Sequence, residues 1–314
     1  MSFSSEQIQK ISKEISSKVS GKTLFDEFSR GRYSTDASVY QIKPLGVILP
    51  KDTNDVLNIM DYSQRNSIPL LARGGGSSQC GQTVGESVVL DYSKHQNKIL
   101  ELNVEEKYVW VEPGVVLDHL NEYLKPYGLW FPVDVSTSSR ATIGGMSANN
   151  SCGSRSLYYG NMVHNVLAIE AILDDGSIFT FDQIEKNYLE RKNNQDRLYK
   201  IIDKFIDVRQ KVAGDIKDNW PTTQRRVGGY NIDLIDPNGF NSSNLLVGSE
   251  GTLSLFNKIK LKLSEIPKNK ILGVCYFDNF HQAMELAKEI VKLKPTCVES
   301  VSYTHLTLPP SDLV

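Results

Sequence analysis

The stretch that decides the fold is Pro69-Leu-Leu-Ala-Arg-Gly-Gly-Gly-Ser-Ser78, a short apolar strand that runs directly into three glycines and two serines. Consecutive glycines leave backbone N–H groups unobstructed and allow positive φ values, so the chain can curl around an anion. Arg73 either supplies a charged contact to that anion or anchors the loop to its own domain. Taken alone, the loop predicts phosphate binding and a plain structural turn about equally.

The loop differs from two other phosphate-binding patterns. No Gly-Lys-Ser/Thr follows it at the spacing of a Walker loop, which disfavours a nucleotide hydrolase. Nor does it have the GxGxxG spacing that opens a helix in dinucleotide-binding folds.

Short strands and helices alternate on both sides of the loop. Strands are predicted at residues 46–49, 69–72, 88–91, 99–102, 108–111, 166–173, 177–181, 245–247 and 259–263, and helices at 52–66, 115–124 and 197–212. Ile8, Ile11, Ile15 and Val19 recur at helical spacing and predict an amphipathic helix at the start. Near the end, a further β-α-β unit is predicted from strands at 271–277 and 296–300 around a helix at 281–292.

Residues 131–160 are rich in Ser, Thr, Asn and Gly and almost without charge. Solvated loops usually carry Lys and Glu, so this composition predicts a long loop whose backbone packs closely against a ligand. The alternative is a glycine-rich Ω-loop without a ligand.

Composition narrows the class of protein. The 314 residues are 40% hydrophobic and 23% charged with a net charge of −2, which is typical of a globular protein without attraction to nucleic acids. The sequence contains no apolar run of about 18 residues, so no integral membrane segment is predicted. Peripheral attachment at the inner membrane stays open. The cysteines, Cys80, Cys152, Cys275 and Cys297, and the five histidines are scattered, so we expect free thiols, a cytoplasmic location and no metal site.

Four motifs occur in a fixed order. They are the glycine loop with Gly81-Gln82, Val111-Glu-Pro-Gly-Val115, Thr142-Ile-Gly-Gly-Met-Ser-Ala-Asn-Asn150 and Gly248-Ser-Glu-Gly-Thr-Leu253. Each is weak alone, but as a set across residues 33–263 they resemble the FAD-binding domain of the vanillyl-alcohol oxidase/p-cresol methylhydroxylase superfamily. The resemblance implies an α+β flavin domain of two subdomains, with FAD extended between them and a separate substrate-binding cap.

Two further segments, Arg32-Tyr-Ser-Thr-Asp-Ala-Ser38 and Asn149-Asn-Ser-Cys-Gly-Ser-Arg-Ser156, look most like the D-2-hydroxyacid dehydrogenase branch. That branch includes D-lactate, glycolate and D-2-hydroxyglutarate dehydrogenases, and the likeness is greatest to large members with a downstream iron–sulfur half. It implies hydride transfer from a D-2-hydroxy acid to FAD, with a quinone, a cytochrome or an iron–sulfur domain as electron acceptor. The alternatives are a sugar, lactone or alcohol oxidase of the same superfamily and a catalytically silent flavin-binding fragment.

The resemblance also implies a set of cofactor-binding residues. They are Arg73, Gly74, Gly75, Gly76, Ser77, Ser78, Gln82, Pro132, Asp134, Ser136, Thr142, Gly144, Gly145, Asn149, Ser151, Ser154, Ile169, Glu250 and Gly251. Residues 73–78 would cradle the pyrophosphate, the backbone of Ile169 would meet the adenine, and Glu250 with Gly251 would close the second side. Ser77 stands where covalently flavinylated relatives carry histidine, which implies non-covalent FAD.

Substrate chemistry is less well defined than cofactor binding. Arg225 and Arg226 precede a Gly-Gly-Tyr-Asn segment that, in similar proteins, lies near the substrate side. No residue is assigned as the catalytic base. An iron–sulfur cluster would belong to a downstream half.

The expected division of the chain has four parts. Residues 1–34 form an N-terminal helical arm, 35–267 the FAD-binding domain, 268–300 the beginning of a truncated cap, and 301–314 a non-native tail that matches no family element.

Overall fold

A computed structural model describes residues 3–185, 196–223 and 225–300, so the predicted foreign tail lies outside the described residues. Four strands form the first sheet, in the order β1-β2-β4-β3. They are β1 (Lys22–Leu24), β2 (Gly46–Leu49), β3 (Leu70–Arg73) and β4 (Val88–Asp91). Strands β2 and β3 run parallel to the central β4, whereas β1 is antiparallel to β2. The glycine loop therefore leaves the carboxyl end of an edge strand.

The first sheet is covered by helices from the N-terminal part of the chain. These are α1 (Ser5–Ser16), α2 (Glu27–Arg32) and α3 (Thr53–Asn66). Ile11 and Ile15 of α1 join Ile59 of α3 in the apolar cluster beneath the sheet, as their helical spacing predicts. Asp52 caps α3 by accepting hydrogen bonds from the backbone N–H groups of Asn54 and Asp55.

The second sheet is antiparallel and five-stranded, in the order β5-β6-β12-β8-β9. Its strands are β5 (Ile99–Asn103), β6 (Tyr108–Val111), β8 (Val166–Ile172), β9 (Ile178–Phe181) and β12 (Leu255–Lys262), and β7 (Leu129–Trp130) pairs separately with β13 (Ser264–Glu265). Helix α4 (Leu117–Leu124) buries Leu117, Leu120 and Leu124 against this sheet. A mostly parallel sheet and an antiparallel sheet, each packed against helices, confirm the expected α+β class.

Residues 131–160 are less loop-like than predicted. They contain α5 (Ile143–Asn149) and α6 (Ser156–Tyr159), and α7 (Met162–Asn165) follows directly. The Thr142 side chain caps α5, and Asn150 ends it in the left-handed conformation with φ 53°. Glycine and asparagine have low helix propensity, which is why composition concealed these helices.

The segment that follows β9 also departs from the prediction, at residues 245–247. It comprises β10 (Gln183–Glu185), α8 (Arg197–Lys211), α9 (Ala213–Asn219) and β11 (Gly239–Asn241). The predicted strand at 245–247 is wrong, because Ser242–Leu245 form a 3-10 helix and the N–H groups of Leu246 and Val247 both bond to Ser243 O. A short buried apolar run fits either structure, so periodicity could not decide.

Only the helix of the predicted terminal β-α-β unit is confirmed among the described residues. Helix α10 (Phe280–Lys292) is present, but 271–277 and 296–300 form no strand. Side chains such as Ile271 and Leu272 are exposed rather than packed on a sheet. Over the described ranges, no helix is long and apolar enough to cross a membrane.

Candidate functional site

A cavity of about 780 Å³ lies where the two subdomains meet. Its volume falls within the roughly 300–1,000 Å³ of small-molecule sites. Five stretches supply most of the lining: the glycine loop, residues 134–137, helix α5 with its cap, residues 149–154 and residues 250–256. Residues that adjoin the first sheet and residues that adjoin the second sheet therefore both line the cavity.

The glycine loop is shaped by close backbone packing against the second subdomain. A Cβ added at Gly74 would lie 2.0 Å from Thr142 Oγ1, and one added at Gly75 would lie 2.2 Å from the carbonyl oxygen of Arg140. Real Cβ atoms do not approach other atoms this closely. Glycine is therefore required here for space, and the glycines themselves line the cavity.

Arg73 anchors the loop to the rest of the first subdomain. Its Nη1 donates to Tyr33 O at 3.2 Å and Thr83 O at 3.1 Å, and its Nη2 donates to Thr35 O at 2.7 Å. The guanidinium also lies 5.2 Å from the centroid of the Tyr33 ring. Burial lowers the pKa of Arg73, and the nearby Asp91 carboxylate opposes that shift. The sequence left two roles open for Arg73, contact with an anion or anchoring of the loop. The hydrogen bonds show that it anchors the loop.

A chain of hydrogen bonds crosses the cavity from the glycine loop to α5. The Ser78 hydroxyl donates to the Gln82 side-chain oxygen. Glu250 Oε1 then accepts from Gln82 Nε2 at 3.1 Å and from Asn149 Nδ2 at 3.0 Å. We call Ser78, Gln82, Glu250 and Asn149 the cross-cavity chain. It connects residues that three separate motifs contribute.

Glu250 is held in place by an unusual backbone. It has a left-handed φ of 50°, between Gly248 at 85° and Gly251 at 78°. Its N–H donates to Ala148 O at 3.0 Å, and the Gly248 N–H donates to Ser147 O at the same distance. The turn is thus docked on the last residues of α5, and its carboxylate is aimed across the cavity.

Asp134 lines the cavity and holds residues 153–155 in place. Its carboxylate accepts from the Ser154 hydroxyl at 3.1 Å and from the Arg155 N–H at 3.2 Å. A Cβ at Gly153 would lie 1.9 Å from the Asp134 carbonyl oxygen, so the two segments touch along their backbones. Close backbone contact explains the small residues of this stretch.

The structure brings nearly all of the predicted cofactor-binding residues to this one cavity. The exceptions are Pro132 and Ile169, which are buried outside its lining. Ile169 lies in the middle of β8, paired with Ile259 on one side and Phe181 on the other. Ser77 is part of the lining.

The two arginines singled out by sequence have different surroundings. Arg225 lines the cavity and donates from Nε to Cys152 Sγ at 2.8 Å. Arg226 instead pairs with Asp233 and lies 5.4 Å from the centroid of the Trp220 ring. Only the first of the two is among the lining residues.

Three buried polar residues of the lining were missed by sequence reasoning. They are Tyr92, Asn150 and Ser254, and Tyr92 Oη, Asn150 Nδ2 and Ser254 Oγ have no hydrogen-bond partner within the described part of the chain. None lies at a motif position with an assigned role, so no local signal marked Tyr92 or Ser254. Asn150 closes a recognised motif, but no role was assigned to it.

These features fit a large, polar, phosphate-bearing ligand. Buried polar atoms are almost always hydrogen-bonded, so unpartnered donors in a cavity wall suit a ligand rich in acceptors. Gly74, Gly75 and Gly76 line the cavity, and a glycine-rich backbone of this kind suits phosphate oxygens. FAD offers both kinds of acceptor. Across residues 3–185, 196–223 and 225–300, no group of three or more His, Cys, Asp or Glu residues is arranged to hold a metal ion.

The family comparison agrees with this geometry. Residues 44–182 match the FAD binding domain family. This part of the chain is an FAD binding domain. The match runs from the first sheet through β9 and therefore contains the glycine loop and α5, and it makes FAD the cofactor of the domain.

Relatives extend the likeness over most of the chain. It is 36% identical over 294 residues to the D-2-hydroxyglutarate dehydrogenase of Haemophilus influenzae, a match that covers 90% of this chain and 28% of that protein. It is 34% identical over 304 residues to the Escherichia coli protein of the same name, covering 94% of this chain and 30% of that one. The chain thus spans less than a third of the length of these relatives.

A solved structure shares the fold. It is titled alkyldihydroxyacetonephosphate synthase and superposes with a TM-score of 0.63 at 17% identity, covering 92% of this chain and 50% of that one. The two-subdomain α+β fold that the motifs imply is therefore the observed fold.

Proposed function

We propose that this chain is the FAD-binding portion of an FAD-dependent dehydrogenase that oxidises a D-2-hydroxy acid of the D-2-hydroxyglutarate or D-lactate class. The observation that carries the proposal is the 36% identity to a D-2-hydroxyglutarate dehydrogenase over 90% of this chain. That stretch is long enough to include both subdomains and the walls of the cavity between them.

Bound FAD would accept the hydride that leaves the Cα–H of the hydroxy acid. The chain's own part is to bind and orient that cofactor. Backbone N–H groups of residues 74–78 would bind its phosphate oxygens, and Asp134 would keep the Ser154 hydroxyl directed at the cavity. The other predicted residues of the lining would contact the remainder of FAD. Because Ser77 replaces the histidine of covalent relatives, we propose a non-covalent complex.

We retain the domain division as part of the proposal. Residues 35–267 would be the FAD-binding domain, preceded by a helical arm and followed by the first part of a substrate cap. The proposed electron acceptor is a quinone, a cytochrome or an iron–sulfur domain. The four cysteines, all free thiols, support a cytoplasmic protein, which can attach peripherally to the inner membrane.

Anaerobic reduction of the bound flavin tests the proposed activity. The FAD-loaded 314-residue chain is mixed with D-2-hydroxyglutarate or D-lactate, and the visible flavin absorption is followed. We expect bleaching by at least one D-acid and none by the matching L-acid, which serves as the control. Equal bleaching by both enantiomers, or bleaching by an aldose alone, would contradict the proposal. A flavin that neither acid reduces would identify a silent binding fragment.

A further inference from the structure

Two residues of the cavity lining carry buried hydroxyl groups that have no partner among the described residues. They are Tyr92, which is 4% exposed, and Ser254, which is 8% exposed. Tyr92 directly follows β4 of the first sheet, and Ser254 directly precedes β12 of the second. The cavity lining therefore includes one such residue from each subdomain.

The protein around these hydroxyls supplies little that could bind them. The adjoining lining residues include Pro113, Leu255 and Phe256, whose side chains are apolar. Tyr92 belongs to the same apolar cluster as Leu255. Burial raises the pKa of Tyr92 above its ordinary value, so its hydroxyl stays protonated at neutral pH and is available as a donor.

Asn150 adds a third buried donor that has no partner in the part of the chain that the structure describes. Its Oδ1 accepts from the Val163 N–H at 3.0 Å, which fixes the orientation of the amide. Its Nδ2 is left without a partner in the described ranges, and the residue lines the cavity. A fixed, unpaired donor in the same cavity lining as Tyr92 and Ser254 supports a site for an acceptor-rich ligand.

An unpaired buried hydroxyl destabilises a folded protein, because it has left water without gaining a new hydrogen bond. Such a group is expected where a ligand completes the bond. Ser87 provides a useful contrast, since its Oγ is also buried and unpaired but does not line the cavity.

We propose that the Tyr92 and Ser254 hydroxyls are FAD-binding groups. Each would donate a hydrogen bond to an acceptor atom of the cofactor in the cavity. The inference rests on the FAD domain assignment and adds two residues to it that none of the recognised motifs contributes. It concerns the binding of FAD and not the identity of the substrate.

The test compares Tyr92→Phe, Ser254→Ala and the control Ser87→Ala in the 314-residue chain. Two quantities are measured: the Tm without FAD, and the Kd for FAD from the change in flavin fluorescence. All three variants are expected to raise the Tm of the FAD-free chain, because each removes an unpaired buried hydroxyl. Tyr92→Phe and Ser254→Ala should in addition weaken FAD binding by about fivefold each, whereas Ser87→Ala should leave the Kd unchanged.

The opposite signs of the two effects distinguish binding from packing. Weaker FAD binding together with a lower Tm would mean disturbed packing and would overturn the inference. A Kd within about twofold of wild type in both cavity variants would overturn it as well, while leaving the FAD domain intact. If the wild-type chain itself binds no FAD, the domain assignment fails together with the inference. Turnover of a hydroxy acid plays no part in these outcomes.

Discussion

The loops at residues 73–78 and 248–254 both contribute to the cavity lining, and both depend on glycine for different physical reasons. In the first loop, added Cβ atoms at Gly74 and Gly75 would collide with Thr142 and Arg140. In the second, Gly248 and Gly251 have φ values of 85° and 78°, and the space around Gly251 is open. Glycine thus allows close approach at Gly74 and Gly75, whereas at Gly251 it allows a left-handed turn in open space. The same substitution to alanine should therefore have different costs in the two loops.

The largest effect is expected for Gly75→Ala. Its new Cβ would lie 2.2 Å from a backbone carbonyl oxygen, and a backbone atom cannot rotate away as a flexible side chain can. We expect a loss of about 3 kcal/mol in the free energy of unfolding, measured in urea, together with loss of FAD binding. Stability within about 0.5 kcal/mol of wild type would show that the two loops do not differ as described.

Arg73→Lys tests the anchor of the first loop. The guanidinium donates to three backbone carbonyls, and a lysine ammonium cannot reach all of them from one position. We expect a loss of about 2 kcal/mol in the free energy of unfolding and faster hydrogen exchange at residues 33–35.

Arg225→Lys is the matched control for the anchor. The Arg225 side chain is exposed and donates to Cys152. Its replacement should change the free energy of unfolding by less than about 0.5 kcal/mol. Equal losses for the two arginines would contradict the assignment of Arg73 as the anchor.

Glu250→Ala tests whether the second loop is tied to the first through side chains. The change removes the acceptor of both the Gln82 and the Asn149 amide and so breaks the cross-cavity chain. We expect a loss of about 1.5 kcal/mol in the free energy of unfolding. Glu250→Gln keeps an oxygen acceptor and should recover most of it. No difference between the alanine and glutamine variants would mean that the chain adds nothing to stability.

Apart from the control variants, the smallest effect is expected for Gly251→Ala. Its Cβ would meet nothing within 4 Å, so the cost comes from the left-handed backbone alone. We expect about 1 kcal/mol, clearly less than for Gly75→Ala, in the same urea titration. If Gly251→Ala lowered the free energy of unfolding more than Gly75→Ala, the comparison between the loops would be contradicted.

Much of the fold was predictable because its signals are local. The strand that ends in the glycine loop and the helix capped by Asp52 each follow from neighbouring residues. The strand predicted at 245–247 failed because three apolar residues carry no period. Helix α5 was hidden because its glycines disfavour a helix, although the Thr142 cap and the left-handed Asn150 mark its ends.

The site was predictable only as far as the motifs reach. The motifs identified the glycine loop, residues 149–154 and Glu250, which the structure brings to one cavity. Tyr92 and Ser254 follow and precede ordinary buried strands, and their place in the cavity depends on how the two sheets meet. No spacing along the chain encodes that junction.

The most direct measurement of the central claim is a titration of the purified 314-residue chain with FAD, followed by denaturation. We predict a yellow complex with one FAD per chain that releases all its flavin when the protein unfolds. Gly75→Ala should stay colourless under the same conditions. A wild-type chain that takes up no FAD would contradict the assignment of the cavity, and flavin retained after denaturation would contradict a non-covalent site.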